Sequence, residues 1–569
     1  MESLVLNSLK NDTFVKLVFQ SKRFIMSKII FVFALLLVSF LSFSQPKTVA
    51  ESSNFESTST EKDVNDFILK ITKHSSIVKV ETLAVSAEGR SIPLLVIADP
   101  MPKSPQKLAR DKRMVVYIQA NIHAGEVEGK EASLMLARDV ISGMRKDVLK
   151  NVILLICPNF NPDGNEAISV QNRTHQNGPK NGVGLRYNGQ MLDLNRDAMK
   201  LETPELNGLM KNVILKWDPL ITVDCHTTNG SYHEEPVTFT WMMNPAGDRS
   251  LTDFMQKTMM PAVSKILLND YKTENCFYGE FIDMKNPEKG WEDDASEPRY
   301  LVNYLGVRNR LAILNENYVY ADYKSRVLGC YALLHSITGY AAEHTSEIKE
   351  LIRTADQKTV KRGLNPEPSD SFPIAYLAKP IPEKVTIKTY EVDVVTSPDG
   401  RESYKKSDRK KTVQVPFFAQ YEATKNVKLP FAYLFANSDP MVINLLQRHG
   451  IQVGKLTKPQ TFEVQSFHIT ELQAAKLLNQ GHYTETINGT WTTEHLEFKS
   501  GTFVIRTGQP LANLAAYLLE PQTNDGLLFW NFLDRYLLPQ WGRGFNAYPV
   551  YKIIAPVKID DSVLPLHEN

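Results

Sequence analysis

An apolar run that ends in a turn bearing an imidazole and a carboxylate constrains the fold of this chain most strongly. Residues 115–120 have the character of a buried strand, His123 and Glu126 follow in the turn, and a helical pattern then runs from Val127 to about Met144. Such a strand, turn and helix deliver two side chains to one place. Imidazole nitrogen and carboxylate oxygen are zinc ligands, and a catalytic zinc takes a third ligand from elsewhere. Alone, His-x-x-Glu is a weak signal, because the chain has 12 histidines.

Other strand-like runs also end in functional side chains. Residues 220–226 form an apolar run that ends in His226, and residues 311–318 carry Glu316 near their end. Strands alternate with helical patterns over some 300 residues, which predicts an α/β domain with a largely parallel core. Ligands in such sheets gather at the carboxyl ends of the strands. We therefore expect these two residues to meet His123 and Glu126 in space.

The sequence predicts an α/β fold with a mixed, mostly parallel central sheet flanked by helices, followed by a smaller C-terminal α+β domain. A Pro- and Ser-rich stretch at 366–382 marks the boundary between them. The predicted organisation is a signal peptide at 1–45, a flexible lead-in at 46–62, a catalytic domain at 63–365, a linker at 366–382 and the C-terminal domain at 383–569. Within the last, we expect a helix at Glu471–Leu478 and a solvated loop at 405–411, which is rich in Lys and Arg.

The N-terminus predicts export. A basic residue, Lys28, precedes fifteen mostly apolar residues at 29–43 and a small-residue exit, which is typical of a secretory signal peptide and too short for a membrane span. Met26 is a candidate for the true initiator. We expect a periplasmic or extracellular protein without a stable membrane span after cleavage, and the net charge of +1 gives no indication of a nucleic-acid partner. Oligomeric state stays open.

Four cysteines allow three disulfide pairings, and an exported location would permit them. Cys157 and Cys225 lie inside apolar runs, where we expect buried thiols. The chain has no Cys-x-x-Cys spacing for a structural zinc.

Five motifs in order resemble the zinc metallocarboxypeptidases, the carboxypeptidase A-like family. They are His123-x-x-Glu126, Asn-Pro-Asp-Gly at 161–164, Asp193-x-Asn-Arg, the strand-end His226 and the strand-end Glu316. The resemblance covers about residues 60–345 and implies one Zn²⁺ ion held by His123, Glu126 and His226. Zinc there would lower the pKa of a water molecule towards about 7. A glutamate such as Glu316 could then act as the general base.

The resemblance also implies roles for the arginines between the ligands. An arginine should stabilise the oxyanion, for which Arg173 and Arg186 are candidates, with Arg173 preferred because it lies nearer the 158–164 turn. Asn195 and Arg196 resemble the pair that binds the substrate's terminal carboxylate. Asp193 is expected to orient a ligand histidine, and Asp224, beside His226, is a weaker candidate for the same role.

Several positions depart from the family's pattern. Gly125 stands where an arginine is common, and Asp197 follows Arg196 where Asn is usual, which we expect to add negative charge near the carboxylate site. The mobile tyrosine of the family has no clear match. Tyr300 is the candidate for substrate binding, with Tyr304 as an alternative and a core role open for both. His233, among carboxylates, could suggest a second metal, although solvated loop histidines are commoner.

The predicted function is an exported zinc metallocarboxypeptidase that hydrolyses the peptide bond next to a C-terminal carboxylate. A second hypothesis keeps the metal and changes the substrate to an N-acyl amino acid or a cell-wall peptide, making the protein a zinc amidohydrolase or peptide-trimming enzyme. A third is a non-catalytic binding protein on the same fold. Metal content and a panel of free and blocked peptides would separate these hypotheses.

Overall fold

The central sheet of the computed structural model is built from strands in the first 317 residues. The strands of this part of the chain are β1 (Val78–Val85), β2 (Ser91–Ile97), β3 (Met114–Ala120), β4 (Val152–Cys157), β5 (Ile221–Thr227), β6 (Val237–Trp241), β7 (Asn275–Phe277), β8 (Glu280–Phe281), β9 (Trp291–Glu292) and β10 (Leu311–Asn317). Eight of them join in the order β1-β2-β4-β3-β5-β10-β6-β7. The centre, β4-β3-β5-β10, is parallel, while β1, β2 and β6 add antiparallel pairings. The mixed, mostly parallel sheet is thus confirmed.

The structure describes residues 45–228, 230–293, 295–367, 369–437, 439–537, 539–540, 544–545 and 547–565. The signal peptide predicted for 1–45 lies outside these residues, apart from residue 45. Among the described residues, none of the helices is long and apolar enough to cross a membrane. The four cysteines are all buried free thiols, which confirms the expectation for Cys157 and Cys225.

Helices cover the central sheet. They are α1 (Val49–Ser52), α2 (Glu61–Thr72), α3 (Glu128–Ile141), α4 (Pro162–Glu166), α5 (Pro204–Leu209), α6 (Leu215–Trp217), α7 (Arg249–Phe254), α8 (Met260–Tyr271), α9 (Leu301–Val307), α10 (Tyr323–Glu343) and α11 (Thr345–Leu364). Single π-helical turns at Met210–Ile214 and Met255–Met259 join α5 to α6 and α7 to α8.

Helix α3, which follows the turn that carries His123 and Glu126, is almost wholly buried and carries paired charges. Glu128 forms an ion pair with Arg326 of α10, and both side chains are fully buried. Glu131 accepts hydrogen bonds from Thr58 and Ser59, so the 46–62 segment predicted to be flexible packs on this helix. A buried charge is tolerated only when it is paired and hydrogen-bonded, so these partners fix the position of α3 behind the turn.

The C-terminal part consists mostly of strands. They are β11 (Ser371–Pro380), β12 (Val385–Thr396), β13 (Glu402–Val415), β14 (Phe417–Lys428), β15 (Ala432–Phe435), β16 (Gly454–Leu456), β17 (Gln460–Ala474), β18 (Glu485–Phe498), β19 (Phe503–Arg506), β20 (Pro539–Gln540), β21 (Gly544–Phe545), β22 (Val550–Ile553) and β23 (Asp561–Val563), with helices α12 (Pro440–Arg448) and α13 (Ala512–Leu519). Seven strands form a sheet in the order β18-β17-β22-β15-β19-β16-β23. This agrees with the α+β prediction.

Two local predictions in this part are wrong. The segment expected to be a helix at Glu471–Leu478 continues strand β17 as far as Ala474, because β18 pairs with it along its length. The basic stretch at 405–411 lies in strand β13, paired with β12, with most of its charged side chains in solvent. In both cases pairing with a distant strand outweighs the local signal. The stretch predicted as a linker contains β11, which pairs with β14, and the division into domains stays a prediction.

Candidate metal centre and catalytic cavity

Three of the residues predicted as ligands converge at the carboxyl ends of two paired strands. His123 and Glu126 lie in the turn between β3 and α3, and His226 lies in β5, which pairs in parallel with β3. The Nδ1 atoms of the two imidazoles are 3.2 Å apart. The Glu126 carboxylate lies 3.2 Å from Nδ1 of His123 and 3.0 Å from Nδ1 of His226. All three side chains are buried, and their ligand atoms lie within 4.8 Å of one another.

Both imidazoles are oriented by a carboxylate on the opposite side of the ring. Nε2 of His123 is 3.0 Å from Asp193 Oδ1, and Nε2 of His226 is 3.0 Å from Asp224 Oδ2. A carboxylate at Nε2 holds the proton there and leaves the Nδ1 lone pair to face the ligand cluster. The structure therefore brings both aspartates into the role expected of Asp193, including the one that the sequence ranked lower.

The surroundings of the cluster favour a cation. Burial disfavours an imidazolium, yet Asp224 and Glu126 raise the pKa of His226 well above its ordinary value. Burial alone would raise the pKa of the Glu126 carboxyl, but His123 and Arg173 hold this pKa well below the usual range. Two imidazole nitrogens and a carboxylate oxygen form the donor set of catalytic zinc sites, and such a metal competes with protons for its ligands. The residues present thus fit Zn²⁺.

The carboxylate of Glu126, a candidate ligand, is also held by neighbouring donors. It accepts hydrogen bonds from Nη1 of Arg173 at 2.9 Å and from the backbone N–H of Thr227 at 3.1 Å. The aliphatic part of Arg173 passes close to Gly125, where a Cβ atom would lie 2.7 Å from Arg173 Cδ and 2.9 Å from the Gly184 carbonyl oxygen. Glycine at this position therefore makes room for an arginine that arrives from a different part of the chain.

Glu316 lies on the neighbouring strand, beside the cluster. Strand β10 pairs in parallel with β5, and Glu316 is the register partner of His226. Its Oε2 atom is buried and has no hydrogen-bond partner among the described residues. Burial, reinforced by the charge of Glu126, raises the pKa of Glu316 to about 8, although His226 opposes the shift. A divalent cation beside this carboxylate would lower its pKa.

A cavity of about 300 Å³ opens over the cluster. Eight of the nine predicted site residues line it, namely His123, Glu126, Arg186, Asn195, Arg196, His226, Tyr300 and Glu316. The ninth, Arg173, does not line this cavity. Its Nη2 donates to the Thr227 carbonyl at 3.0 Å, and its side chain is only 12% exposed. Arg186 is 31% exposed, donates to Asp193 at 2.9 Å and faces the cavity.

The predicted carboxylate-binding pair lies on one wall. The guanidinium of Arg196 stacks over the ring of Tyr300 at 4.4 Å, which holds its plane in a defined orientation. Asn195 Oδ1 accepts from the backbone N–H of Leu301 at the start of α9. Tyr304 lies in the core, where its hydroxyl is 2.7 Å from His449 Nδ1.

The charge expected from Asp197 does not reach this wall. Its buried carboxylate accepts hydrogen bonds from the backbone and hydroxyl of Thr203 and from Lys200 Nζ. The expectation that it adds negative charge at the carboxylate site was wrong, because these donors turn the side chain into the core.

Sequence reasoning missed the far wall of the cavity. Thr240 and Trp241 of β6 line it together with Leu314 of β10 and the buried Asp293. Leu314 lies two residues before Glu316 and pairs with Thr240 in the antiparallel register of β10 and β6. The period of two along a strand could have predicted Leu314 from Glu316. The other wall residues depend on strand order.

Comparisons with known proteins relate part of the chain to one peptidase family. Residues 64–209 match the model of the family described as zinc carboxypeptidase. This part of the chain is thus similar to the zinc carboxypeptidase family. The matched residues include His123, Glu126 and the Asp193-x-Asn-Arg motif, whereas His226 and Glu316 lie beyond them and are brought to the cluster by strands β5 and β10. The chain is therefore a metallopeptidase of the hydrolase class.

Relatives resemble the chain over different lengths. "Carboxypeptidase 2" of Trichophyton rubrum is 19% identical over 539 residues, which cover 90% of each chain. "Carboxypeptidase M" of Mus musculus is 31% identical over 143 residues, which cover 24% of this chain and 31% of that protein. Among solved structures, the carboxypeptidase A of Helicoverpa armigera is 16% identical with a TM-score of 0.38, covering 56% of this chain and 82% of that one.

Proposed function

We propose that the protein is an exported zinc metallocarboxypeptidase that hydrolyses the peptide bond next to a free C-terminal carboxylate. The observation that carries the proposal is the shared cavity, in which a His-Glu-His cluster, the carboxylate of Glu316 and the guanidinium of Arg196 face one space. A metal ligand set alone would be compatible with many hydrolases. A cationic side chain on the same wall supplies the means to recognise a terminal carboxylate.

Zinc, when bound by His123, Glu126 and His226, would act as a Lewis acid and activate water for attack on the peptide carbonyl. Glu316 would accept a proton from the attacking water and return it to the leaving amine. Its position supports this role, because it is the register partner of a ligand histidine and has an unpartnered oxygen among the described residues.

Arg186 would stabilise the negative charge that develops on the carbonyl oxygen. Both predicted arginines lie close to Glu126, but Arg173 uses its guanidinium on Glu126, Gln176 and the Thr227 carbonyl. Arg186 is held by Asp193 on one side and borders the cavity on the other. The arrangement favours Arg186, in contrast to the slight preference for Arg173 drawn from its position in the sequence. Arg173 would instead fix the orientation of Glu126.

Arg196 and Asn195 would bind the substrate's terminal carboxylate. A planar guanidinium can donate two parallel hydrogen bonds to a carboxylate, and stacking on Tyr300 limits its rotation beforehand. Such a site should discriminate against substrates whose terminal carboxylate is replaced by a neutral amide, since the guanidinium of Arg196 would then lose its charged partner on the substrate.

The test uses the purified full chain with matched peptides that have free or amidated C-termini, and with N-acyl amino acids. We expect single residues to be released from the free C-terminus, little hydrolysis of the amide, and loss of activity after chelation that added Zn²⁺ reverses. Glu316→Gln should retain zinc and lose turnover by several orders of magnitude. Glu463→Gln, on an exposed position of β17, is the matched control and should keep full activity.

Different outcomes would exclude different parts of the proposal. Hydrolysis of N-acyl amino acids in preference to peptides would make the protein an amidohydrolase on this site. Near-normal turnover by Glu316→Gln would remove the general base from the mechanism. Export rests on the sequence pattern of residues 1–45, and N-terminal sequencing of the protein recovered outside the cytoplasm should find a start close to residue 46.

A further inference from the structure

A second cluster of metal-binding side chains lies outside the catalytic cavity. His233 and Glu235 belong to the loop between β5 and β6, and Cys276 lies in β7, which pairs in parallel with β6. The three side chains are buried, with exposed fractions of 3%, 3% and 7%. One nitrogen, one oxygen and one sulfur atom from them lie within 4.8 Å of one another. The sequence suggested a solvated histidine here, and burial contradicts that expectation.

Two polar atoms in this cluster lack the hydrogen bonds that burial demands. Nδ1 of His233 and Oε2 of Glu235 are buried without a hydrogen-bond partner among the described residues, although they lie 3.5 Å apart. The other carboxylate oxygen of Glu235 accepts from the backbone N–H of Lys388 at 3.0 Å. Buried polar atoms in native proteins nearly always have partners, and an ion is one recognised explanation for those that do not.

The chemistry of the three donors selects the ligand. We propose that His233, Glu235 and Cys276 form a second, structural metal site that binds a divalent ion of the zinc type. Imidazole, carboxylate and thiolate are all zinc ligands, whereas Ca²⁺ and Mg²⁺ prefer oxygen alone. Three protein ligands are one fewer than structural zinc sites usually have, so water would take the fourth position of a tetrahedral ion.

The neighbouring groups orient the donors. The imidazole of His233 stacks on the ring of Tyr318 with centroids 3.7 Å apart, and its backbone N–H donates to the Tyr318 hydroxyl at 2.9 Å. Burial and the charge of Glu235 raise the pKa of the Cys276 thiol, so a thiolate forms there only with a cation beside it. Cys276 also borders a cavity of about 230 Å³.

The position of the site indicates its role. The site adjoins strand β12, since His233 forms a β-bridge with Thr389 and the backbone N–H of Glu234 donates to the Lys388 carbonyl at 2.8 Å. An ion shared by the 231–236 loop and β7 would tie this loop, and with it the β12–β13 hairpin, to the edge of the central sheet. The same loop follows β5, whose next-to-last residue is His226. The second ion would thus brace the segment that follows a catalytic ligand.

The first experiment measures the number of zinc ions per purified full chain by inductively coupled plasma mass spectrometry. We expect two zinc ions per chain in the wild type, one in Cys276→Ala, one in His226→Ala and none in the double variant. Cys157→Ala, which removes a buried thiol of β4, a strand that does not neighbour β6 or β7, is the matched control and should keep two. One ion in the wild type, with an unchanged count in Cys276→Ala, would overturn the proposal.

The second experiment is decided by the wild-type protein. When Co²⁺ replaces zinc, only a thiolate-bound ion gives an intense sulfur-to-metal absorption in the near ultraviolet. The catalytic ligands include no sulfur, so this band reports the second site alone. We expect it in the wild type, in Cys157→Ala and in His226→Ala. Its absence from the wild type would refute the site whatever the peptidase activity, so this outcome is independent of the proposed function.

Discussion

Replacing Asp224 by asparagine tests how the metal site is built. The Asp224 carboxylate is 1% exposed and accepts from Nε2 of His226 at 3.0 Å and from Nε2 of Gln119 at 3.2 Å. Its charge makes the His226 ring a better ligand and holds the proton on Nε2. Loss of such a partner typically lowers metal affinity 10- to 100-fold, which is about 1.4–2.7 kcal/mol.

The second hydrogen bond places the expected effect at the upper end of this range. Gln119 is an amide donor in the structure, so it competes with His226 for the one oxygen of the new asparagine. If Gln119 keeps that oxygen, the asparagine NH₂ group faces Nε2 of His226. Two donors then meet, and the imidazole proton moves to Nδ1, the atom that should bind zinc. We therefore expect a loss of zinc affinity near 100-fold.

The measurement is a competition titration of the metal-free protein against a chromophoric chelator, with circular dichroism to check the fold. Activity of Asp224→Asn should return at saturating zinc. Asp193→Asn is the informative comparison, because Asp193 holds both His123 and Arg186. That variant should lose zinc affinity, and its kcat should still differ from the wild-type value at saturating zinc. Wild-type zinc affinity in Asp224→Asn would refute this account of how His226 is oriented.

Three further predictions address the carboxylate site, the turn and the core. Arg196→Lys loses the planar group stacked on Tyr300, so the ratio of kcat/KM for free over amidated peptides should fall at least about tenfold; an unchanged ratio would exclude Arg196 as the clamp. Gly125→Ala places a methyl group 2.7 Å from Arg173 Cδ, and the free energy of unfolding should fall by about 1–3 kcal/mol, measured by urea unfolding of the zinc-loaded protein; wild-type stability would contradict this packing. Burial lowers the pKa of His449 to about 3. As the pH is lowered from about 6.5 towards 3, this histidine is protonated in the unfolded chain but not in the folded protein, so the free energy of unfolding decreases. The contribution of this residue to the loss is about 2 kcal/mol at pH 5. The His449→Gln variant should show a flatter loss of unfolding free energy between pH 7 and 5, and an identical slope in the two proteins would disprove the assignment.

Local sequence determined the frame of the site. Apolar runs of strand length, the turn after residue 120 and the helical pattern beyond it predict β3, the turn and α3 at their observed places. These signals are readable because periodicity and turn chemistry act over a few residues. The same holds for the ends of β5 and β10, which carry His226 and Glu316, so the ligand cluster was predicted from its separate pieces.

Tertiary structure decided which side chains meet. Glu316 stands beside His226 because β10 inserts between β5 and β6, an order that no local pattern contains. The division of roles between Arg173 and Arg186 depends on which of them reaches the cavity from the long 172–191 loop. The second cluster depends on β7 pairing with β6, which brings Cys276 to a loop some forty residues earlier in the chain. Strand order and burial arise from packing of the whole sheet, so they lie beyond the reach of any signal that spans only a few neighbouring residues.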